Sequence, residues 1–216
     1  MSQKPVFTKE LFQFLFELKF NNERPWFEAN RARYEKFVKE PLQEFCDAFV
    51  VRLKKINPAF DRAKTFRIHR DTRFSRDKTP YKTQAAAQFL HRAAGGDVHS
   101  PAFYLHLEPG ESFLGTGIWA PEPDVLARIR ARIVGKPREW TPLSKLGLWG
   151  ESYARPPKGV DPGHKFIADL KRKHFLTWND FKDREVLDPA FSDRLAKACK
   201  QNAPLIAFLD AALGLD

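Results

Sequence analysis

The stretch "AFYLHLEPGESFLGTGIWAP", residues 102–121, decides how this chain is read. "AFYLHLEP" and "FLGTGIWAP" have the residue content of two strands, and "PGES" between them is a turn signal, so the unit predicts an antiparallel hairpin. Tyr104 and His106 fall on one face of the first strand, because successive side chains of a strand point to opposite sides. Gly115 and Gly117 in the second strand mark a bulge or a close backbone approach.

Upstream, "TQAAAQFLHR" at residues 83–92 reads as another strand, separated from the hairpin by the turn-rich "AAGGDVHSP". Before it, "TFRIHRDTRF" at residues 65–74 alternates Phe66, Ile68, Thr72 and Phe74 against Arg67, His69, Asp71 and Arg73, with Arg70 breaking the apolar set. This predicts a strand with one covered face and one charged face. Four strands in sequence give an antiparallel meander over residues 64–120.

Helical spacing brackets the meander. Residues 6–56 predict three helices, one opening at Thr8, one at Pro25 and one after Pro41. Residues 121–216 predict a helix over "PEPDVLARIRARIVGK", an irregular Pro-, Gly- and Trp-rich excursion, and helices over "HKFIADLKRKHFLTWNDF" and the C-terminal stretch, the last bent or interrupted at Pro204. The fold class is α+β, one domain, with N-terminal and C-terminal helices packed around an antiparallel sheet.

Of 216 residues, 43% are hydrophobic and 20 are Phe, enough for a substantial core. Two cysteines, Cys46 and Cys199, sit far apart with no CxxC pair, which argues against a disulfide framework or zinc ribbon and makes a reducing cytoplasm the expected setting. Glu10, Glu17 and Lys19 interrupt the apolar N-terminal stretch, no small-residue cleavage site follows, and no run has the length of a membrane span.

The net charge is +10, and residues 52–92 carry +9 of it, with twelve Lys or Arg against three Asp. Such a local excess attracts phosphates, carboxylates or a nucleic-acid backbone. It peaks in "RIHRDTRFSRDKTPYKT", residues 67–83. There Arg67, Arg70 and Arg73, with Lys78 and Lys82, form a candidate site for a phosphorylated or other anionic ligand, and Asp71 and Asp77 pre-orient the guanidinium groups. Tyr81 belongs to this site, and Tyr104 and His106 would meet the Arg67 face across the sheet. The competing reading is a structural ion-pair network that locks the loop, with Phe74 and Tyr81 filling core.

Other motifs carry less. Asp71 and Asp77 amid so much positive charge suit ion pairing better than proton transfer, and the same surroundings oppose a metal ion. "HRD" at residues 69–71 lacks the Asn five residues on that a kinase loop needs, Arg76 standing there instead. There is no Gly-rich nucleotide loop and no GxSxG elbow, and the histidines show no HxxxH spacing. No cofactor or metal is expected. Trp119, Trp140, Trp149 and Trp178, with Tyr153, are candidates for base stacking or for core and loop anchoring, and Arg128 and Arg132 form a ridge that could extend the basic patch. A nucleic-acid module is therefore the second reading, and no membrane partner is expected.

The blocks "NNERPWFEANRARYE", "RDTRFSRDKTPYKT" and "FYLHLEPGESFLGTGIWAPEPDVLARIR", in that order, resemble the bacterial and fungal family called domain of unknown function 2461. The resemblance covers most of the chain. It implies that Arg67, Arg70, Asp71, Arg73 and Asp77, then Lys78, Tyr81 and Lys82, belong to the family's signature stretch, and it supplies no activity.

Overall fold

A computed structural model describes residues 5–95 and 100–215. The expected turn at residues 93–101 lies partly outside them, as does His99. Five strands form one antiparallel sheet in sequence order: β1 (Phe60–Thr65), β2 (Ala85–His91), β3 (Ala102–Leu107), β4 (Ser112–Ile118) and β5 (Phe175–Phe181). The predicted α+β class and meander are present, with two differences in the strands.

The first strand lies upstream of the charged stretch. β1 ends at Thr65, and residues 66–84 form a loop closed by a single bridge between His69 and Tyr81. Two aspartates account for this. Asp71 accepts the Arg73 backbone N–H at 3.2 Å and Asp77 that of Thr79 at 2.9 Å, turns that compete with a sheet ladder. Arg70 N–H instead donates to the Pro80 carbonyl, and Lys82 N–H to that of Ile68. The face of Arg67, Asp71 and Arg73 expected from a strand is therefore not formed.

The second difference is β5, drawn from a segment expected to be helical. Only Ile167–Leu170 (α6) and, beyond the strand, Asp183–Val186 (α7) are helical there.

α1 (Lys9–Phe20) buries Leu11, Phe14, Leu15 and Leu18 and stops at Asn21, whose backbone and side chain both donate to the Glu17 carbonyl. Thr8 sits at the N-cap without a side-chain cap bond. α2 (Arg24–Tyr34) starts with Pro25 in its first turn and runs into α3 (Glu40–Leu53) through a widened π turn at Glu35–Lys39. Pro41 has no N–H for the helical ladder, and the wider turn gives its ring room without ending the helix. α8 (Phe191–Leu213) likewise carries Pro204 uninterrupted.

α3 packs on β1 and β2 and α8 on β4, covering one sheet face with a Phe-rich core that includes Phe14, Phe49, Phe60, Phe89 and Phe103. A second cluster joins α4 (Pro123–Gly135), α5 (Pro137–Leu143) and the C-terminal half of α8 around Trp140, whose indole N–H donates to Asp169. The opposite sheet face holds a cleft.

Candidate functional site

Strand register assigns the floor of that cleft. Gln88, Tyr104, Gly115 and Trp178 are cross-strand neighbours, as are Leu90, Ala102, Gly117 and Leu176, and Ala86, His106, Phe113 and Asp180. Alternation puts all three rows on the open face. At its centre Gly115 and Gly117 leave a depression that bulky rings surround, giving a cleft of about 420 Å³. This is the size of a pocket for one small organic molecule.

The rings form a continuous stacked series. Phe113 lies on Trp178 with centroids 3.5 Å apart, Trp178 meets Trp149 at 4.6 Å, Trp149 meets Trp119 at 5.8 Å, and Trp119 lies on His174 at 4.0 Å. At the other end His106 stacks on Phe113 at 4.6 Å, and Tyr104 meets Phe66 edge-on at 5.9 Å. Trp149 belongs to the irregular excursion and is held over the sheet by its backbone N–H, which donates to the Leu176 carbonyl at 2.7 Å.

Gly117 is obligatory here: its φ is +131°, and a Cβ would lie 1.9 Å from the Phe175 carbonyl oxygen. The close backbone approach anticipated from the two glycines thus occurs at Gly117, whereas Gly115 has ordinary van der Waals clearance toward Tyr104 and Phe113.

Charge enters at the Phe66 rim. The Lys82 ammonium sits 5.4 Å from the Phe66 ring centroid, and burial together with Arg67 lowers its pKa. Arg67 is exposed and has no hydrogen-bond or ion-pair partner among the described residues. A shallow hollow lined by Arg70, Asp71, Tyr81, Lys82, Thr83 and Gln84 also includes Lys82.

Arg70, Asp71, Arg73, Asp77 and Lys78 are used by the loop itself, while Arg76 is exposed. Arg70 pairs with Asp77 and donates to Thr79 Oγ1, and Arg73 forks onto Asp71 at 2.7 and 3.0 Å. Hydrogen bonds from Thr79 and Arg70 hold the Asp77 carboxyl down at about 2, and Arg73 lowers that of Asp71. Lys78 donates to the Thr72 carbonyl at 2.9 Å. Tyr81 is buried and stacks on Phe27 at 4.1 Å, whereas Phe74, expected in the core under the structural reading, is 94% exposed.

Tyr104 lines the cleft, and His106 adjoins it by stacking on Phe113. Tyr104 Oη is 3.4 Å from His106 Nδ1, and His106 Nε2 is 3.1 Å from Glu108 Oε2. Thr83 Oγ1 donates to Glu108 Oε1 at 2.8 Å. Burial, with Glu108 nearby, pushes the Tyr104 phenol up to about 12, and the bond from His106 lowers the Glu108 carboxyl.

The Arg128–Arg132 helix packs on α8 and α5, with Arg132 paired to Glu139 and lying over Phe208. Among the described residues no group of three or more His, Cys, Asp or Glu is placed to hold a metal ion. No described helix is long and apolar enough to cross a membrane.

Phe66, Phe113 and Glu108 were not legible as site residues, and Trp178 was legible only as a candidate for base stacking. The signal available was the spacing of rings against the two glycines, readable only once strand register is known.

The architecture is an α+β protein whose sheet is covered on one face and hollowed into an aromatic cleft on the other. The chain belongs to the family of conserved hypothetical proteins designated DUF2461, whose model matches residues 10–208. No curated protein matches it.

Proposed function

We propose that the protein binds a small organic anion with a flat apolar body, the body lying on the aromatic floor of the cleft and the anionic group reaching Lys82. One observation carries this reading: a cleft of about 420 Å³ walled by stacked rings has the Lys82 ammonium over one of them, Phe66. Flat rings offer large contact area at low entropic cost, and a partly buried cation gives orientation. Arg67 adds to the field at that rim, while Arg70, Arg73, Asp71, Asp77 and Lys78 shape the loop that presents it.

Calorimetric titration with compact inorganic phosphate and with flat aromatic carboxylates and phosphates tests the reading. A flat anion binds the wild type, Gly115→Val abolishes binding by filling the depression, and Lys82→Ala weakens it about tenfold, or about 1.4 kcal/mol. Equal binding of the flat anion by wild type and Gly115→Val sinks the proposal.

A second reading, single-stranded nucleic acid, is favoured by Trp119 and Trp149, which are 50% and 43% exposed. Salt separates the two. Backbone binding weakens steeply as several counterions are released, whereas a single-charge pocket gives a slope near one.

A further inference from the structure

β3 places Tyr104 and His106 on the open face, and Glu108 continues that side past the strand end. A carboxylate only accepts hydrogen bonds, so the His106 nitrogen facing Glu108, Nε2, carries the proton. In the neutral ring Nδ1 is then a lone pair, and the Tyr104 hydroxyl donates to it. Thr83 fixes the carboxylate from behind, and Phe113 fixes the imidazole plane by stacking. A group that exchanges a proton, a base beside it and a third residue orienting the base form the arrangement that activates hydroxyl groups in enzymes.

We propose that Tyr104, His106 and Glu108 form a proton relay that makes the cleft a site of proton transfer to and from its bound ligand, with Tyr104 Oη as the exchanging atom. This rests on the cleft binding a small anion. A ligand X–H gives its proton to Oη while the Oη proton passes to Nδ1. The X–H and O–H bonds break, new O–H and N–H bonds form, and an imidazolium results beside the Glu108 carboxylate. The reverse sequence returns the proton, and no other reactant is consumed. His106 and Glu108 are positioning residues, and Tyr104 is the catalytic one.

The relay has a signature that needs no substrate. An anion at Oη draws the hydroxyl hydrogen toward itself, leaves Nδ1 without its donor and favours a protonated ring, so binding takes up a proton. The charged and titratable groups facing His106 are Tyr104 on its own strand, Glu108 just past the strand end and Asp180 on β5, beyond Phe113, with Lys19 of α1 acting through Glu108.

The probe is 4-nitrobenzoate, a flat carboxylate that stays ionised, titrated by calorimetry in two buffers of different ionisation enthalpy. The titration is repeated at several pH values between about 5 and about 8. The wild type takes up protons on binding, at most about one per bound anion. Anion bound by Tyr104→Phe or His106→Gln, at whatever affinity, takes up no proton, and circular dichroism confirms that both are folded.

Binding without proton uptake overturns the relay, as does linkage that survives Tyr104→Phe, which would make His106 a bystander to the anion's field. An Nδ1–H tautomer of His106 by nitrogen NMR in the free protein overturns it as well. No binding of this or any flat anion to the wild type overturns the cleft reading, and the relay's function with it. Binding that fails only in Gly115→Val leaves the cleft reading intact while the proton count decides the relay.

Discussion

The side-chain amide of Asn22 grips the backbone of Tyr81 from both sides, donating to its carbonyl at 2.9 Å and accepting its N–H at 3.0 Å. It ties the junction of α1 and α2 to the closing end of the charged loop, while the Tyr81 ring stacks on Phe27 of α2. Asn22→Ala leaves both backbone groups without this partner and costs about 1–3 kcal/mol. Urea denaturation gives the loss, and faster amide exchange over residues 67–83 shows that the loop is what loosens.

Acid reads the Asp77 turn. Its folded pKa of about 2 lies below the ordinary 3.8, so this carboxylate stabilises the fold fully above its unfolded value. The contribution fades as pH falls from about 4 toward about 2. Melting temperatures measured across that window fall more steeply for wild type than for Asp77→Asn, which has no carboxylate to protonate there.

The two cleft glycines respond differently to a methyl group. Gly117→Ala drives a Cβ into the Phe175 carbonyl at a backbone conformation that L residues rarely adopt, and loses more than about 3 kcal/mol. Gly115→Ala meets nothing closer than 3.8 Å and stays within about 1 kcal/mol of wild type. Denaturation midpoints of the pair decide it.

Neither thiol reacts in the folded protein. Burial pushes Cys46 up to about 12 and raises Cys199 further, so the thiolate that attacks disulfide reagents is scarce at both. A chromogenic disulfide reagent labels the native protein only at the unfolding rate and both cysteines at once in denaturant.

Phe74 and Tyr81 separate surface from scaffold within one motif. Phe74→Ala changes stability by less than about 0.5 kcal/mol, and Tyr81→Ala costs about 3–5 kcal/mol, both by chemical denaturation.

The hairpin of β3 and β4 was readable because strand-forming residues flank a Pro-Gly turn. β5 was not. Phe175 and Thr177 face the helices while Leu176 and Trp178 face the cleft, so both sides are covered and no polar alternation survives to mark a strand. The segment's apolar density fits a helix equally well. At residues 66–74 the alternation was real but the conclusion was not, because Asp71 and Asp77 bond their own backbone two residues on.

The sequence by itself determined the α+β class, the order of the first helices and strands, the basic concentration at residues 52–92 and an unusual backbone position at Gly115 or Gly117, since these follow from local periodicity and conformational preference. Only the tertiary structure decided that the aromatic cleft exists. Phe66, Tyr104, Phe113, Trp149 and Trp178 lie far apart along the chain, and strand register and one excursion bring their rings together. Register is fixed by burial of the opposite sheet face, a long-range term that no short window of sequence contains.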